Sequence, residues 1–284
     1  QIGEGTSRAH LDLPPVQQAL LDAVIGAGKP VVVILHTTRP FVLTRFADRV
    51  GAILQAFHLG TEGRTALAEV MTGRVNPSGK LPMTFPRATG QVPIYYDRLP
   101  TGRPRLTDAR YETGYTDEKL EPLYPFGFGL SFSRFGFDRL TLDAPTAPLS
   151  GSIAGSVRVT NTAGPAGQEV VQVYVHQKVG SRSRPLRQLR FFQKVEVGAG
   201  GEATVRFSIP VRSLGFHDDQ ARVRMSRNAL PGFLWGSSQA VVRDSLVALN
   251  RRRALCVPGR LNRLLMWVGR SGLADWAIPL VVRK

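Results

Sequence analysis

The run of apolar residues at 31–35 (VVVIL) is the feature that most constrains the fold of this chain. Five consecutive, mostly β-branched residues leave no polar face for water, so they predict a strand buried on both faces, as in a parallel sheet. Residues 51–57 (GAILQAF) predict a second buried strand. Helical patterns alternate with these strands, which indicates an open parallel α/β sheet. Only about two strand–helix units are present, whereas sheets commonly have about five or six strands, so we expect half of a larger domain.

The first helix is predicted over residues 14–28, with Val16, Leu20 and Val24 as its apolar stripe. The other local elements predicted here are a helix over 61–74, a short connection or helix over 44–50, and a short strand at 83–86 (MTFP).

The pattern changes after residue 90. Residues 90–125 carry Pro, Gly, Arg and Tyr without a sustained period, and their tyrosines offer surface to bury, so we predict an ordered connection. Beyond it, alternating runs separated by turn signals predict an antiparallel β-sandwich of about seven strands. The clearest of these runs are FGFDRLTLDAP, SIAGSVRVTNTAG, QEVVQVYVHQK and GEATVRFSIPV. The predicted fold class is therefore α/β followed by all-β.

The net charge of +16 raises the hypothesis of nucleic-acid binding. Residues 221–284 hold twelve Lys and Arg against two acids, however, and so account for +10 of that charge. No recognition helix or basic aromatic motif accompanies them, so we predict no nucleic-acid partner. No stretch reaches the roughly 18–20 consecutive apolar residues of a membrane span.

The last part of the sequence departs from the sandwich pattern. Residues 230–238 (LPGFLWGSS) predict a final hairpin that is compressed by a few residues, which indicates a reading-frame change near 221–236. Residues 246–284 are basic and apolar without a clear period, and we predict a disordered or out-of-frame tail. A short membrane-surface helix around 260–268 is the alternative.

Isolated motifs say little about chemistry. The five histidines lack ligand spacing and Cys256 is the only cysteine, so we predict no metal site and no cofactor. The usual P-loop and serine-hydrolase elbow motifs are missing. Residues 60–63 (GTEG) are interpreted either as an anion-binding helix start or as a tight turn with Thr61 as N-cap, and the turn is preferred.

Taken in order, several segments closely resemble the second domain of family 3 glycoside hydrolases, the β-glucosidase and β-xylosidase family. Residues 60–87 (GTEGRTALAEVMTGRVNPSGKLPMTFPR) carry the strongest likeness, and 28–40 match the strand before the family's GRP turn, with Thr38 where glycine is usual. Later segments resemble its fibronectin type III-like domain. The other matching segments are 91–96, 101–104, 110–135, 159–175 and 183–195.

This resemblance implies a role for Glu4. In the family, a glutamate acid/base stands in a loop of the form E-x-x-x-R-x-x-L-x-L, which residues 4–13 match, with His10 as a departure. The resemblance also implies retaining hydrolysis of terminal, non-reducing β-D-glucosides or β-xylosides and a periplasmic or secreted location. The partners so implied are a β-linked oligosaccharide or an aryl or alkyl glucoside.

The family's aspartate nucleophile lies on an N-terminal (β/α)8 barrel, which nothing in this sequence resembles. Asp12 is too close to Glu4 along the chain to replace it. We therefore expect a fragment of a β-glycosidase that is inactive by itself. The alternative is a non-catalytic carbohydrate-binding accessory module or a decayed remnant.

The resemblance also sets the expected domains. These are a partial open α/β sandwich over 1–93, an ordered connection over 94–127, a fibronectin type III-like (Ig-like) β-sandwich over 128–245, and the atypical tail over 246–284.

Overall fold

The computed structural model describes residues 5, 8–101, 114–177, 180–217, 223–224 and 234–235. The chain splits into two compact units. Every described residue belongs to the unit made of residues 1–104 and 113–241. The predictions for the 246–284 tail, and those for most of the 230–238 hairpin, lie outside the described residues.

The first part of this unit mixes helices with parallel strands. Helix α1 (Pro15–Gly26) leads to strand β1 (Val32–Leu35), and strand β2 (Ala52–Gln55) leads to helix α2 (Gly63–Met71). A 3₁₀ helix, Ala47–Arg49, lies between the strands. The two strands pair in parallel, with Val32 opposite Ala52 and Leu35 opposite Gln55, which confirms the predicted direction.

One face of this small sheet carries the hydrophobic core. Leu35, Leu43, Phe46 and Phe85 are buried together, and Leu21 and Ile25 of α1 pack against them. Neighbouring strand residues point to opposite faces, so Val33 and Leu35 of β1 reach this core.

Two burial predictions are wrong. Val16, Leu20 and Val24 of α1 are 81, 65 and 44% exposed, because the helix presents Leu21 and Ile25 to the core instead. Val32 and Ile34 of β1 are also exposed, so the strand is not buried on both faces. In both cases the sequence shows that a face is apolar, but it does not show which face is covered.

The connection between the two parts is ordered where it is described. The predicted strand at 83–86 consists of one isolated bridge between Phe85 and Tyr124. A 3₁₀ helix (Thr89–Gln91) follows, and the ring of Tyr96 stacks on Phe126 at 4.2 Å between centroids. Tyr95 and Tyr115 remain exposed, so the tyrosines of this connection are only partly buried, whereas the sequence predicts them to be covered.

The second part consists of antiparallel strands. These strands are β3 (Arg134–Phe137), β4 (Thr141–Leu142), β5 (Ser152–Ala163), β6 (Gly167–Val175), β7 (Gln188–Val197), β8 (Glu202–Pro210), β9 (Phe216–His217), β10 (Val223–Arg224) and β11 (Leu234–Trp235). Strand β5 pairs with β3, β4 and β8, strand β6 pairs with β7 and β11, and β9 pairs with β10.

The two larger sheets share one apolar core. Val157 and Val159 of β5 and Val205 of β8 contact Val171 of β6 and Val197 of β7. Burial alternates along β5 and β8 as the period-2 pattern predicts, whereas the second half of β6 is buried at consecutive residues.

The turn at residues 76–82 joins the mixed part to the antiparallel part. The Asn76 amide donates to Ser133 Oγ at 2.8 Å and to the Ala166 carbonyl at 3.2 Å. Lys80 Nζ lies 2.9 Å from Glu169 Oε1 and donates to Oε2 at 3.0 Å and to the Gly129 carbonyl at 3.1 Å. The Lys80 and Glu169 side chains are only 7 and 1% exposed.

Candidate functional site

The segment predicted to carry the acid/base begins outside the described part of the chain. Glu4 lies outside the described residues, so its role stays a prediction. Gly5 is described, with a φ of +71° that favours glycine at this position. From Arg8 onward the segment is described continuously.

Three contacts hold the segment after Glu4 against the mixed part. The Leu11 carbonyl accepts a hydrogen bond from the Val42 amide at 2.9 Å, and the Leu11 amide donates to Thr89 Oγ1 at 3.5 Å. Arg39 Nη1 donates to the Arg8 carbonyl at 3.5 Å. The backbone at Arg8 and Leu11 is therefore attached to the chain just after β1 and to Thr89.

The turn after β1 is itself fixed by side chains. Thr37 is buried, and its hydroxyl donates to the Arg39 carbonyl at 3.1 Å while accepting from the Arg39 amide at 3.3 Å. The Gln55 side chain, at the end of β2, donates to the Thr37 carbonyl at 3.3 Å. These contacts lie at the carboxyl ends of two parallel strands, the edge where open α/β sheets bind ligands.

Sequence reasoning did not single out Thr37 or Gln55. Their only signal is that a polar residue stands at or just beyond the end of each apolar run. Gln55 Oε1 is buried without a hydrogen-bond partner among the described residues.

Two other residues of the predicted loop lie at the surface. His10 and Asp12 are both exposed, and the Asp12 carbonyl accepts from Arg8 Nη2 at 3.4 Å. The Arg8 side chain thus contacts its own segment.

The turn before α2 is tight, as preferred, but the predicted cap is wrong. Helix α2 begins at Gly63 and Glu62 is its N-cap, without a side-chain capping bond. Glu62 instead accepts a hydrogen bond from Thr65 Oγ1 at 3.2 Å. A Cβ on Gly63 would collide with the Leu59 side chain, which explains why glycine follows Glu62. Phe57 has a φ of +53°, unusual for a bulky residue, and no sequence signal predicts it.

Within the described ranges, no group of three or more His, Cys, Asp or Glu side chains has an arrangement that could hold a metal ion. None of the helices in the same ranges is both long enough and apolar enough to cross a membrane.

Family comparisons match both parts of the chain. The model described as glycosyl hydrolase family 3 C-terminal domain matches residues 1–132. The model described as fibronectin type III-like domain matches residues 169–230.

Similar proteins carry glycosidase names. The chain is 41% identical over 231 residues to the periplasmic beta-glucosidase of Salmonella typhimurium, a match that covers 81% of this chain and 30% of that protein. It is 39% identical over 207 residues to a beta-xylosidase of Formosa agariphila, covering 73% of this chain and 28% of that protein. The chain thus spans about a third or less of the length of these relatives.

A solved structure gives the same result. The beta-glucosidase from Listeria innocua in complex with isofagomine matches with a TM-score of 0.75 and 38% identity. The match covers 79% of this chain and 32% of that one. The chain therefore belongs to glycosyl hydrolase family 3, of which it carries the C-terminal domain and a fibronectin type III-like domain.

Proposed function

We propose that this chain is the acid/base-bearing part of a retaining β-glycosidase that removes terminal, non-reducing β-D-glucosyl residues. Glu4 is the proposed general acid/base. The observation that carries this proposal is the attachment of Arg8 and Leu11 to the chain that follows β1, in a region matched by the family 3 model. The β-glucosidase names of the relatives support the choice of substrate.

The proposed chemistry needs two carboxyl groups about 5–5.5 Å apart. Glu4, when protonated, would donate its proton to the departing glycosidic oxygen. As the carboxylate, it would then remove a proton from the water that hydrolyses the glycosyl-enzyme ester. The ester requires a second carboxylate as nucleophile, which would come from a barrel domain that nothing in the sequence resembles.

We also propose a division of the chain that agrees with this function. Residues 1–93 would form part of an α/β sandwich, 94–127 the connection, and 128–245 a fibronectin type III-like sandwich. The parallel pair β1–β2 and the shared core of the two antiparallel sheets support this division.

The first experiment measures hydrolysis of an aryl β-glucoside by the purified 284-residue chain. We expect no turnover above background, because one carboxylate is not sufficient for the double displacement. Turnover that disappears in Glu4→Gln would contradict the predicted inactivity. If the inactive chain binds cello-oligosaccharides, an accessory role replaces the catalytic one.

The second experiment tests Glu4 directly. The full chain is fused to the part of the Salmonella typhimurium relative that precedes the aligned region, and the hydrolysis of β-glucosides is measured. We expect Glu4→Gln to lower kcat/KM by about 10²- to 10⁴-fold for a poor leaving group. The loss should be much smaller for a dinitrophenyl glucoside, whose leaving group needs no proton.

Asp12→Asn is the matched control, because Asp12 is an exposed carboxylate on the same segment. An active Asp12→Asn fusion also shows that the fusion folds. Equal activity of the Glu4→Gln and Asp12→Asn fusions on both substrates would refute the role of Glu4.

A further inference from the structure

Several arginine side chains lie close together where the connection contacts the start of β7. The Leu186 amide donates to the Arg98 carbonyl at 3.0 Å, and Arg187 Nε donates to the Tyr96 carbonyl at 3.4 Å. The Leu189 amide donates to Tyr96 Oη at 3.3 Å. These contacts place Arg98 beside Arg187. We call Arg98, Arg184, Arg187 and Arg190 the arginine cluster.

The side-chain contacts of this cluster go to neutral groups. Arg184 Nε donates to Gln177 Oε1 at 3.1 Å, and Arg190 Nη2 donates to Gln188 Oε1 at 2.8 Å. Arg187 Nε reaches only a backbone carbonyl. Among the described residues, the ion pairs are formed elsewhere, by Asp22, Glu69, Asp138, Glu169 and Glu202.

Burial makes it costly that no described carboxylate forms an ion pair with the cluster. Burial lowers the pKa of the Arg187 guanidinium, with Arg98 as a further lowering charge, although Tyr174 and Tyr96 raise it. Burial and the neighbouring Arg190 likewise lower the pKa of Arg184. Arg190 Nε is buried without a partner in the described part of the chain. Like charges that are partly removed from water and not neutralised are unfavourable, and a bound anion would relieve that cost.

The neighbouring aromatic residues favour a sugar acid over a simple ion. Arg184 lies 4.7 Å from the centroid of the Phe216 ring, and Arg187 lies 6.0 Å from that of Tyr174, which holds both side chains against rings. Tyr95 is 65% exposed, and it directly precedes Tyr96, whose carbonyl accepts the hydrogen bond from Arg187 Nε. Guanidinium groups match the two oxygens of a carboxylate, and an aromatic ring offers an apolar surface to a pyranose.

We propose that the arginine cluster, with Tyr95, is a binding site for the carboxylate of a uronic acid in an acidic glycan. This site does not depend on Glu4 or on the proposed hydrolysis.

The test compares two ligands that differ only in charge at C6. Calorimetry with the full chain measures binding of cellohexaose and of its C6-oxidised β-1,4-glucuronate form, at about 0.1 M salt. We expect the oxidised form alone to bind. The variant Arg98→Gln/Arg190→Gln should weaken binding by about tenfold or more, because charged hydrogen bonds are lost. Arg190→Lys, which keeps the positive charge but loses the planar guanidinium group that can bind both carboxylate oxygens, should weaken binding less.

Arg206→Gln is the matched control, since Arg206 is an exposed arginine on β8 outside the cluster. Thermal unfolding of each variant shows whether it folds. Equal binding of both hexasaccharides, or equal loss in Arg206→Gln, would overturn the proposal. Unchanged binding by the cluster variants would also overturn it, because the anion would then bind to basic residues elsewhere. Tighter binding of poly-glutamate than of the oxidised hexasaccharide would overturn it as well, because it would indicate an acidic protein partner.

Discussion

Replacing Lys80 by Met should destabilise the chain more than any surface substitution, because it leaves the Glu169 carboxylate buried without its cation. At the observed 2.9 Å, the attraction between the two charges is about 6 kcal/mol at an effective dielectric constant of about 20. Part of that attraction offsets the cost of removing Lys80 and Glu169 from water. We therefore expect Lys80→Met to lower the free energy of unfolding by about 3–5 kcal/mol near pH 7.

The loss should depend on pH in a definite direction. Burial raises the pKa of Glu169 above its ordinary value of 4.5, while Lys80 lowers it. Removal of Lys80 leaves only the raising effect. A carboxyl group whose pKa is higher in the folded state contributes stability below about pH 4.5, and that stability is lost as the pH rises. The defect of Lys80→Met should therefore be larger at pH 7 than at pH 4.5.

Urea unfolding at both pH values measures these effects. The matched control is Arg158→Met, which breaks the pairs with Asp138 and Glu202. The Arg158 and Asp138 side chains are 51 and 46% exposed, so this substitution should cost far less stability than Lys80→Met. The double variant Lys80→Met/Glu169→Leu should recover most of the loss, since no charge then remains buried. A loss for Lys80→Met no larger than that for Arg158→Met, or an equal loss at pH 4.5 and pH 7, would contradict the expected role of the buried Lys80–Glu169 pair.

Three further changes test other parts of the structure. Burial raises the pKa of Tyr174 to about 12, so the folded chain keeps a phenol proton that the unfolded chain loses near pH 10. The free energy of unfolding should therefore fall by up to about 1.4 kcal/mol per pH unit between pH 10 and 12. In urea unfolding at alkaline pH, Tyr174→Phe should flatten that slope. Asn76→Ala removes bonds to Ser133, Ala166 and residues 131–132 and should cost about 2–4 kcal/mol by urea unfolding, whereas a loss below about 0.5 kcal/mol would contradict the role of that turn. Gly127→Ala forces a side chain into a φ of +79° and against Gln172, so its thermal unfolding midpoint should fall by several degrees; an unchanged midpoint would show that the turn relaxes.

Sequence reasoning predicts the strands better than their surroundings. The run at 31–35 predicts both a strand and its parallel direction, and β1 confirms both. The same run gives no information on what covers each face, so the exposure of Val32 and Ile34 is missed. Likewise, α1 is apolar on more than one side, and the choice between Leu20 and Leu21 as core residue depends on the packing of the whole part.

The candidate site shows a similar limit. The family motif assigns a role to Glu4, but the contacts that hold its loop come from Arg39, Val42 and Thr89, distant in sequence. Glu169 has a visible signal, because it alternates in phase with Val171 on a strand and so faces inward. Its partner Lys80 is 89 residues away in a polar turn, and local patterns do not connect the two.

The turn at 76–82 makes contacts across the boundary between the two family domains, so the two domains are not structurally independent. The first family model ends at residue 132 and the second begins at residue 169, yet Asn76 and Lys80 take their partners from beyond residue 128. A recombination event that exchanged the second domain alone would leave a buried ammonium group and an unsatisfied amide behind. Shuffling of such domains should therefore succeed only between proteins that carry the same residue pairs across this border, so the two domains are expected to evolve as one unit.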